Sequence, residues 1–265
     1  MTETAVKDRP TVAEVKAGGQ PPGVLDRTNE EHWAGRAYGR HISPYFTWLF
    51  VRLGVTPNTV TVIMVVCGVL AGVALGFGSG VWSALAAAVL IQIYLILDCS
   101  DGEVARFTGK TSIAGVYLDR IGHYLSELGL LIGLGFRASG YDHTVASGYV
   151  TAGLAAAVGA ALIKAETDNV FVSRYKAGLG EKLSDEALAP RGSGMSMARR
   201  AAALLRFHRI ILAVELSVLA LVAALVDLVR GDLLATRVLV IVCFAVAALQ
   251  AVLHLVSILA SRRLS

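Results

Sequence analysis

The chain alternates between long apolar runs and short polar connectors. Six runs approach the length of about 20 residues that an α-helix needs to cross the hydrocarbon core of a bilayer. They cover residues 59–77, 81–97, 118–136, 143–163, 210–229 and 233–259. This pattern predicts an all-α integral membrane protein with a bundle of six transmembrane helices.

The composition agrees with a membrane protein. Of the 265 residues, 55% are hydrophobic and only 17% are charged, and the mean hydropathy is +0.63. A soluble domain of this length carries more charge. The net charge of +4 is too small to indicate nucleic-acid binding. We therefore expect membrane lipids, and no nucleic acid, among the partners.

Basic residues are concentrated in alternate connectors, which predicts an orientation. The connectors poor in Lys and Arg are residues 78–80, 137–142 and 230–232. The richer ones are the N-terminal region, residues 99–112, residues 164–209 and the C-terminal tail. The positive-inside rule assigns the basic side to the cytosol. We expect both termini on that side, in the plasma (inner) membrane.

Three segments differ in character along the chain. Residues 1–29 are polar and predict a disordered cytosolic tail. Residues 30–55 mix aromatic side chains with arginines, which is typical of an interfacial amphipathic helix, and Pro44 suggests a break within it. Residues 56–265 then form the six-helix transmembrane domain.

Four polar residues at the edges of apolar runs are candidate site residues. Asp98 and Asp101 are three residues apart, and Asp119 and His123 are four apart, so each pair shares a face if its segment is helical. A carboxylate beside apolar segments is costly unless it binds something. Carboxylate oxygens suit a divalent metal, and Mg²⁺ is often shared with phosphate oxygens. We expect Asp98 to end the second span and Asp101 to begin the following loop.

The residues between these acids suit a phosphate-bearing ligand. Gly102 and Ala105 have little or no side chain, Arg106 offers a planar fork for a diphosphate, and Gly115 permits tight packing before Asp119. An ion-coupled transporter is the competing hypothesis, because intramembrane acids also mark ion pathways. A transporter would not require the nucleotide-binding residues Gly102, Ala105 and Arg106 at this spacing.

The pattern D-x2-D-G-x2-A-R-x8-G-x3-D, which runs from Asp98 to Asp119, resembles the signature of the CDP-alcohol phosphotransferases. The resemblance extends over roughly residues 30–260. It implies transfer of a phosphatidyl or related phospho-alcohol group from a CDP-linked donor, such as CDP-diacylglycerol, to an alcohol or phosphorylated-alcohol acceptor. CMP is released, and the pathway is phospholipid biosynthesis. It also implies a homodimer.

The resemblance implies a role for each matching residue. Asp98, Asp101 and Asp119 would bind Mg²⁺ or Mn²⁺. The residues that would bind the CDP-linked donor are Asn58, Thr61, Gly102, Ala105, Arg106, Ser112 and Gly115.

The chain departs from the signature at its last position, where the family has Asp and this chain has His123. A neutral imidazole, with an unperturbed pKa of about 6.5, can accept a hydroxyl proton, but it is a poorer ligand for Mg²⁺ than a carboxylate is. We therefore interpret His123 as the catalytic base. Glu127, four residues later, is a candidate to orient it, or else an acid that packs within the bundle. A catalytically silent relative is the remaining alternative.

Overall fold

The described part of the chain folds into α-helices. The computed structural model describes residues 10–22, 33–78, 80–140, 146–178, 207–261 and 264. The helices are α1 (Val12–Gly19), α2 (Arg40–Leu53), α3 (Pro57–Phe77), α4 (Gly80–Thr108), α5 (Ile113–Ala138), α6 (Gly148–Lys176), α7 (Ala213–Arg230) and α8 (Leu234–Leu259). A π-helical turn (Gly35–Gly39) precedes α2, and a 3₁₀ turn (Phe207–Ile211) precedes α7. The predicted all-α class is confirmed.

Four of the described helices, α3, α4, α6 and α8, are long and apolar enough to cross a membrane. They indicate an integral membrane protein. The predicted count of six is not confirmed, because α5 and α7 do not combine the length, high hydropathy and low charge of the other four helices. The 18 residues of α7 include Glu215, Asp227 and Arg230, and α5 carries Asp119 and Glu127 within its apolar sequence.

The segment from Asp98 to Arg106, which we call the acidic motif, lies on a helix and not in a loop. Helix α4 continues past Asp98 and Asp101 to Thr108, so the prediction of a loop that begins after Asp98 was wrong. The helix ends where Gly109 adopts a φ of +68° and the Lys110 N–H donates to the Ala105 carbonyl at 3.0 Å. A glycine in the left-handed conformation after the last turn is a common way for an α-helix to end. The two aspartates therefore have the fixed geometry of one helical turn.

The contacts divide the chain into two compact units. The first comprises Met1–Leu70 and Val89–Leu125, and the second comprises Ala71–Ala88 and Ser126–Ser265. In the first unit, Val60 and Met64 of α3 pack with Tyr94 and Leu97 of α4 in a buried apolar cluster. Every predicted site residue except Glu127 belongs to this unit.

Residues 10–22 differ from the disordered tail that the sequence predicts. Thr11 and Glu14 form a reciprocal capping box at the start of α1, in which the Thr11 N–H donates to the Glu14 carboxylate at 2.7 Å. That backbone hydrogen bond is the main cause that lowers the pKa of Glu14. The rest of the predicted tail, residues 1–9 and 23–29, lies outside the described residues.

The helix that precedes the first span is continuous through Pro44. Residues Arg40–Leu53 form α2 with Pro44 inside it, so the predicted break is wrong. The π-helical turn before α2 extends the helical segment upstream, which leaves Pro44 in its interior. The location of α2 at a membrane interface stays a prediction.

In the second unit, α6 packs against α8, and a buried carboxylate joins α7 to α8. Asp227, only 4% exposed, accepts hydrogen bonds from the backbone N–H groups of Ala235 and Thr236 at 2.8 and 3.1 Å. It also accepts one from the Thr236 hydroxyl at 2.5 Å. These bonds satisfy N–H groups that the first turn of α8 leaves without helical partners. A polar side chain in an apolar helix is thus explained by capping.

We expect Asp227→Ala to lower the free energy of unfolding by about 1–3 kcal/mol, because three donors lose their acceptor in a buried place. The melting temperature of the detergent-solubilised protein measures this loss. Asp232→Ala is the control, since that carboxylate is exposed, where its ion pair with Arg230 and its hydrogen bond from the Leu234 N–H contribute little to stability. Equal melting temperatures for the wild type and Asp227→Ala would contradict the capping role.

Candidate functional site

Helices α4 and α5 bring His123 to two aspartates. The Nε2 atom of His123 lies 3.2 Å from Oδ1 of Asp98 and 3.5 Å from Oδ1 of Asp119. The three side chains are between 26% and 39% exposed, so they are reachable from solvent. The predicted proximity of Asp119 and His123 on one helix face is confirmed, and Asp98 joins them from α4.

The other nitrogen of His123 is held by Tyr94, a residue that the sequence analysis missed. The Tyr94 hydroxyl lies 2.9 Å from Nδ1, and the two rings meet edge to face with centroids 5.8 Å apart. Tyr94 is only 2% exposed and sits four residues before Asp98 on α4. That spacing places both on one helix face and is the one signal in the sequence that points to it.

The cluster of Asp98, Asp119 and His123 fits a divalent metal in its spacing. One potential ligand atom from each residue lies within 4.8 Å of the other two. Two carboxylates supply the oxygen ligands that Mg²⁺ and Mn²⁺ prefer.

Asp101 has different partners from the other two aspartates. Its carboxylate accepts hydrogen bonds from the Thr61 hydroxyl at 2.6 Å and from the Gly102 N–H at 2.5 Å. Both Asp101 and Thr61 are buried. The structure therefore joins two of the three predicted metal ligands, Asp98 and Asp119, to His123. Asp101 stands one helical turn from Asp98 and shares the wall of a cavity with Asp119.

A cavity of about 240 Å³ lies beside these carboxylates. All seven residues predicted to bind the donor line it: Asn58, Thr61, Gly102, Ala105, Arg106, Ser112 and Gly115. Asp101 and Asp119 complete its acidic side. The residues of its wall that the sequence analysis did not name are Pro57, Lys110, Thr111 and Val116. Lys110 adds a second cation to the cavity wall.

A chain of hydrogen bonds fixes one wall of the cavity. The Gly115 N–H donates to the Ser112 hydroxyl at 2.9 Å, and that hydroxyl donates to Oδ1 of Asn58 at 3.1 Å. Ser112 thereby caps the N-terminus of α5. A Cβ atom at Gly115 would lie 2.8 Å from the same Asn58 oxygen, so only glycine fits without displacing Asn58.

Glu127 is described with the second unit, where it pairs with a lysine. Its carboxylate lies 3.2 Å from Nζ of Lys164, and the two side chains are 8% and 25% exposed. The carboxylates paired with His123 are those of Asp98 and Asp119. The orientation of His123 by Glu127 stays a prediction.

A model of the CDP-alcohol phosphatidyltransferase family matches residues 54–226. The chain belongs to this family. Its members are transferases for CDP-alcohol phosphotransfer and use a divalent metal, which agrees with the cluster of Asp98, Asp119 and His123. No curated protein matches the chain. The family match covers every predicted site residue, but it begins after α1 and α2.

We expect Asp98→Asn and Asp119→Asn each to weaken Mn²⁺ binding at least about tenfold, because each loses a charged oxygen ligand. Titration of the detergent-solubilised protein with Mn²⁺, followed by electron paramagnetic resonance, measures the affinity. Asp232→Asn, an equal change of charge at an exposed carboxylate, is the control and should bind as the wild type does. Unchanged affinity in both cluster variants would contradict the metal assignment.

Proposed function

We propose that the protein transfers a phosphatidyl group from CDP-diacylglycerol to an alcohol or phosphorylated-alcohol acceptor and releases CMP, as a step in phospholipid biosynthesis. One observation carries the proposal. All seven residues that match the donor-binding positions of the family line a single cavity, with Asp101 and Asp119 on the same wall. Such a convergence of small, polar and cationic groups suits a nucleoside diphosphate better than a proton path.

In this proposal the cavity holds the CDP portion of the donor. Arg106 and Lys110 supply positive charge for the diphosphate, and the guanidinium offers paired donors to its oxygens. Gly102 and Ala105 let the ligand approach the α4 backbone closely. The acyl chains of the donor remain in the bilayer, into which the apolar helices extend.

The carboxylates of Asp101 and Asp119 on the cavity, with that of Asp98 near Asp119, supply the oxygen ligands that Mg²⁺ or Mn²⁺ prefers. Asp98, Asp101 and Asp119 would hold it, and it would supply charge neutralisation of the diphosphate and of departing CMP. The side chains of the protein orient the reactants and move the proton.

His123 is the proposed base. The acceptor hydroxyl oxygen attacks the β-phosphorus and forms a new P–O bond, while the bond from that phosphorus to the oxygen of CMP breaks. The hydroxyl proton passes to Nε2 of His123. The neighbouring Asp98 carboxylate, 3.2 Å away, then accepts a hydrogen bond from the protonated ring.

Tyr94 supports the same role by fixing the orientation of the ring, with Nδ1 toward its hydroxyl and Nε2 toward the aspartates. When Nδ1 carries the proton and donates to the Tyr94 oxygen, Nε2 keeps its lone pair toward Asp98 and Asp119. An imidazole that binds a metal through Nε2 has no lone pair left there for a proton. The roles of base and ligand at Nε2 therefore exclude each other, and experiment separates them.

The proposal also covers the orientation of the site, the membrane in which the enzyme lies and its oligomeric state. The site faces the cytosol, as the distribution of basic residues predicts, and the membrane is the plasma (inner) membrane. The active form is a homodimer.

Incubation of the purified protein with CDP-diacylglycerol, a panel of alcohols and phosphorylated alcohols, and Mg²⁺ or Mn²⁺ should release CMP with at least one acceptor. His123→Ala should lower the turnover by about 10²- to 10⁴-fold, the usual contribution of a general base. It should leave Mn²⁺ binding within about threefold of the wild type, since the carboxylates remain. His123→Asp, which restores the residue of the family signature, should retain activity.

Absence of CMP with every CDP-alcohol and acceptor would overturn the enzyme proposal and favour a silent family member. Undiminished transfer by His123→Ala would remove His123 from the reaction. Loss of Mn²⁺ binding in that variant would make the imidazole a ligand and not the base.

A further inference from the structure

Residues 10–22, which we call the N-terminal arm, lie before the part of the chain that matches the family. They nevertheless contact two residues of the acidic motif, Glu103 and Arg106. The arm contains the eight-residue helix α1 and belongs to the same compact unit as the cavity.

Helix α2 anchors both ends of the arm. The indole N–H of Trp48 donates to the Pro10 carbonyl at 2.9 Å. At the other end, the side-chain amide of Gln20 donates to the Arg40 carbonyl at 2.8 Å and to the Glu103 carboxylate at 2.8 Å. The arm is thus attached to α2 at two points and to α4 through Glu103.

Pro44 explains why Gln20 binds at Arg40. Proline has no N–H, so the carbonyl four residues earlier in a helix loses its normal donor. In α2 that carbonyl belongs to Arg40, and it accepts the hydrogen bond from Gln20. The arm supplies the donor that Pro44 lacks.

Two glycines let the arm approach α4 closely. A Cβ atom at Gly19 would lie 3.1 Å from Cβ and 3.4 Å from Cα of Glu103, a tighter approach than side chains normally tolerate. A Cβ atom at Gly18 would lie 2.8 Å from the ring of Phe107. The close approach brings the Gly19 carbonyl to within 2.6 Å of Nε of Arg106, which donates to it.

This hydrogen bond fixes the guanidinium plane. Because the five N–H groups of arginine have a rigid fork geometry, binding Nε–H at one point sets the directions of the terminal nitrogens. These nitrogens lie over Gly102, where a Cβ atom would come within 3.1 Å of the first and 3.4 Å of the second. Both Gly102 and Arg106 line the cavity.

We propose that the N-terminal arm is a positioning element of the donor site, in which the Gly19 carbonyl holds the Arg106 guanidinium toward the diphosphate of a bound nucleotide. The inference rests on the proposed function, because it takes the cavity as the CDP site. Without the arm, Arg106 keeps its charge but loses its preset orientation, so the nucleotide must order the side chain on binding.

Gly19→Leu tests the proposal, because the added side chain meets the α4 backbone and displaces the arm. Ala17→Leu is the matched control, since position 17 is exposed. Binding of CDP to the full-length, detergent-solubilised protein is measured by calorimetry. We expect Gly19→Leu to weaken CDP binding about tenfold and Ala17→Leu to leave it within about twofold.

A double-variant cycle separates positioning from general damage. Arg106→Ala should weaken CDP binding at least about tenfold, and Gly19→Leu should add little to it, because the arm acts through Arg106. Gln20→Ala keeps Gly19 and removes the two bonds of the amide, so it should weaken binding by about three- to tenfold. It serves as the second variant if Gly19→Leu does not fold.

Wild-type CDP affinity in Gly19→Leu and Gln20→Ala, alongside a loss in Arg106→Ala, would overturn the role of the arm and leave the proposed function intact. Full additivity in the double variant would also overturn it. A wild-type protein that binds no CDP would overturn the proposed function itself.

Discussion

The buried carboxylate of Glu103 is the group on which the arrangement of the first unit depends. It is 1% exposed and lies next to Gly102 in the acidic motif. Its hydrogen-bond donors are Gln20, Arg40, Ser43 and Thr47, at 2.5 to 3.2 Å. An ionised carboxylate away from water costs several kcal/mol unless such partners surround it, and removing one partner of a buried ion pair costs about 3–5 kcal/mol. The burial of Glu103 therefore holds the arm and α2 on the helix that carries the site.

Much of the candidate site followed from local sequence. The spacing of Asp119 and His123 predicted a shared helix face, and the signature named the seven residues that line the cavity. Both inferences rest on short-range periodicity or on an ordered motif. The same reasoning failed where apolar length alone set a boundary, because α4 continues as a helix beyond Asp98 and ends only at a glycine with positive φ.

The partners of Glu103 and His123 could not be predicted, because they depend on contacts distant in sequence. Gln20 and Thr47 lie 83 and 56 residues from Glu103. Tyr94 lies in an apolar run, where only its place four residues before Asp98 distinguishes it from a packing residue. Helix α1 has eight residues, too few to be stable alone, so its polar composition pointed to disorder. Hydrogen bonds between the arm and helices α2 and α4 stabilise α1 despite its weak local helix preference.

In the proposed mechanism, His123 separates two tasks, metal binding and proton transfer, that a fourth aspartate would combine. A carboxylate there would add a third negative charge beside Asp98 and Asp119, whereas a neutral imidazole adds none. With Nδ1 held by Tyr94, the ring presents Nε2 to the two acids. In our account the carboxylates hold the metal and the imidazole takes the proton. The proposed mechanism keeps the chemistry of the family, with a base that differs from the metal ligands.

Pulsed electron paramagnetic resonance of the Mn²⁺-loaded protein tests this division most directly, because it detects a nitrogen nucleus bonded to the ion. Our account predicts that Mn²⁺ binds without the coupling of a directly bonded imidazole nitrogen. The nitrogen region of the spectrum should therefore be the same in the wild type and in His123→Ala. A nitrogen coupling in the wild type that disappears in His123→Ala would contradict it, because Nε2 would then be a metal ligand and unable to serve as the base.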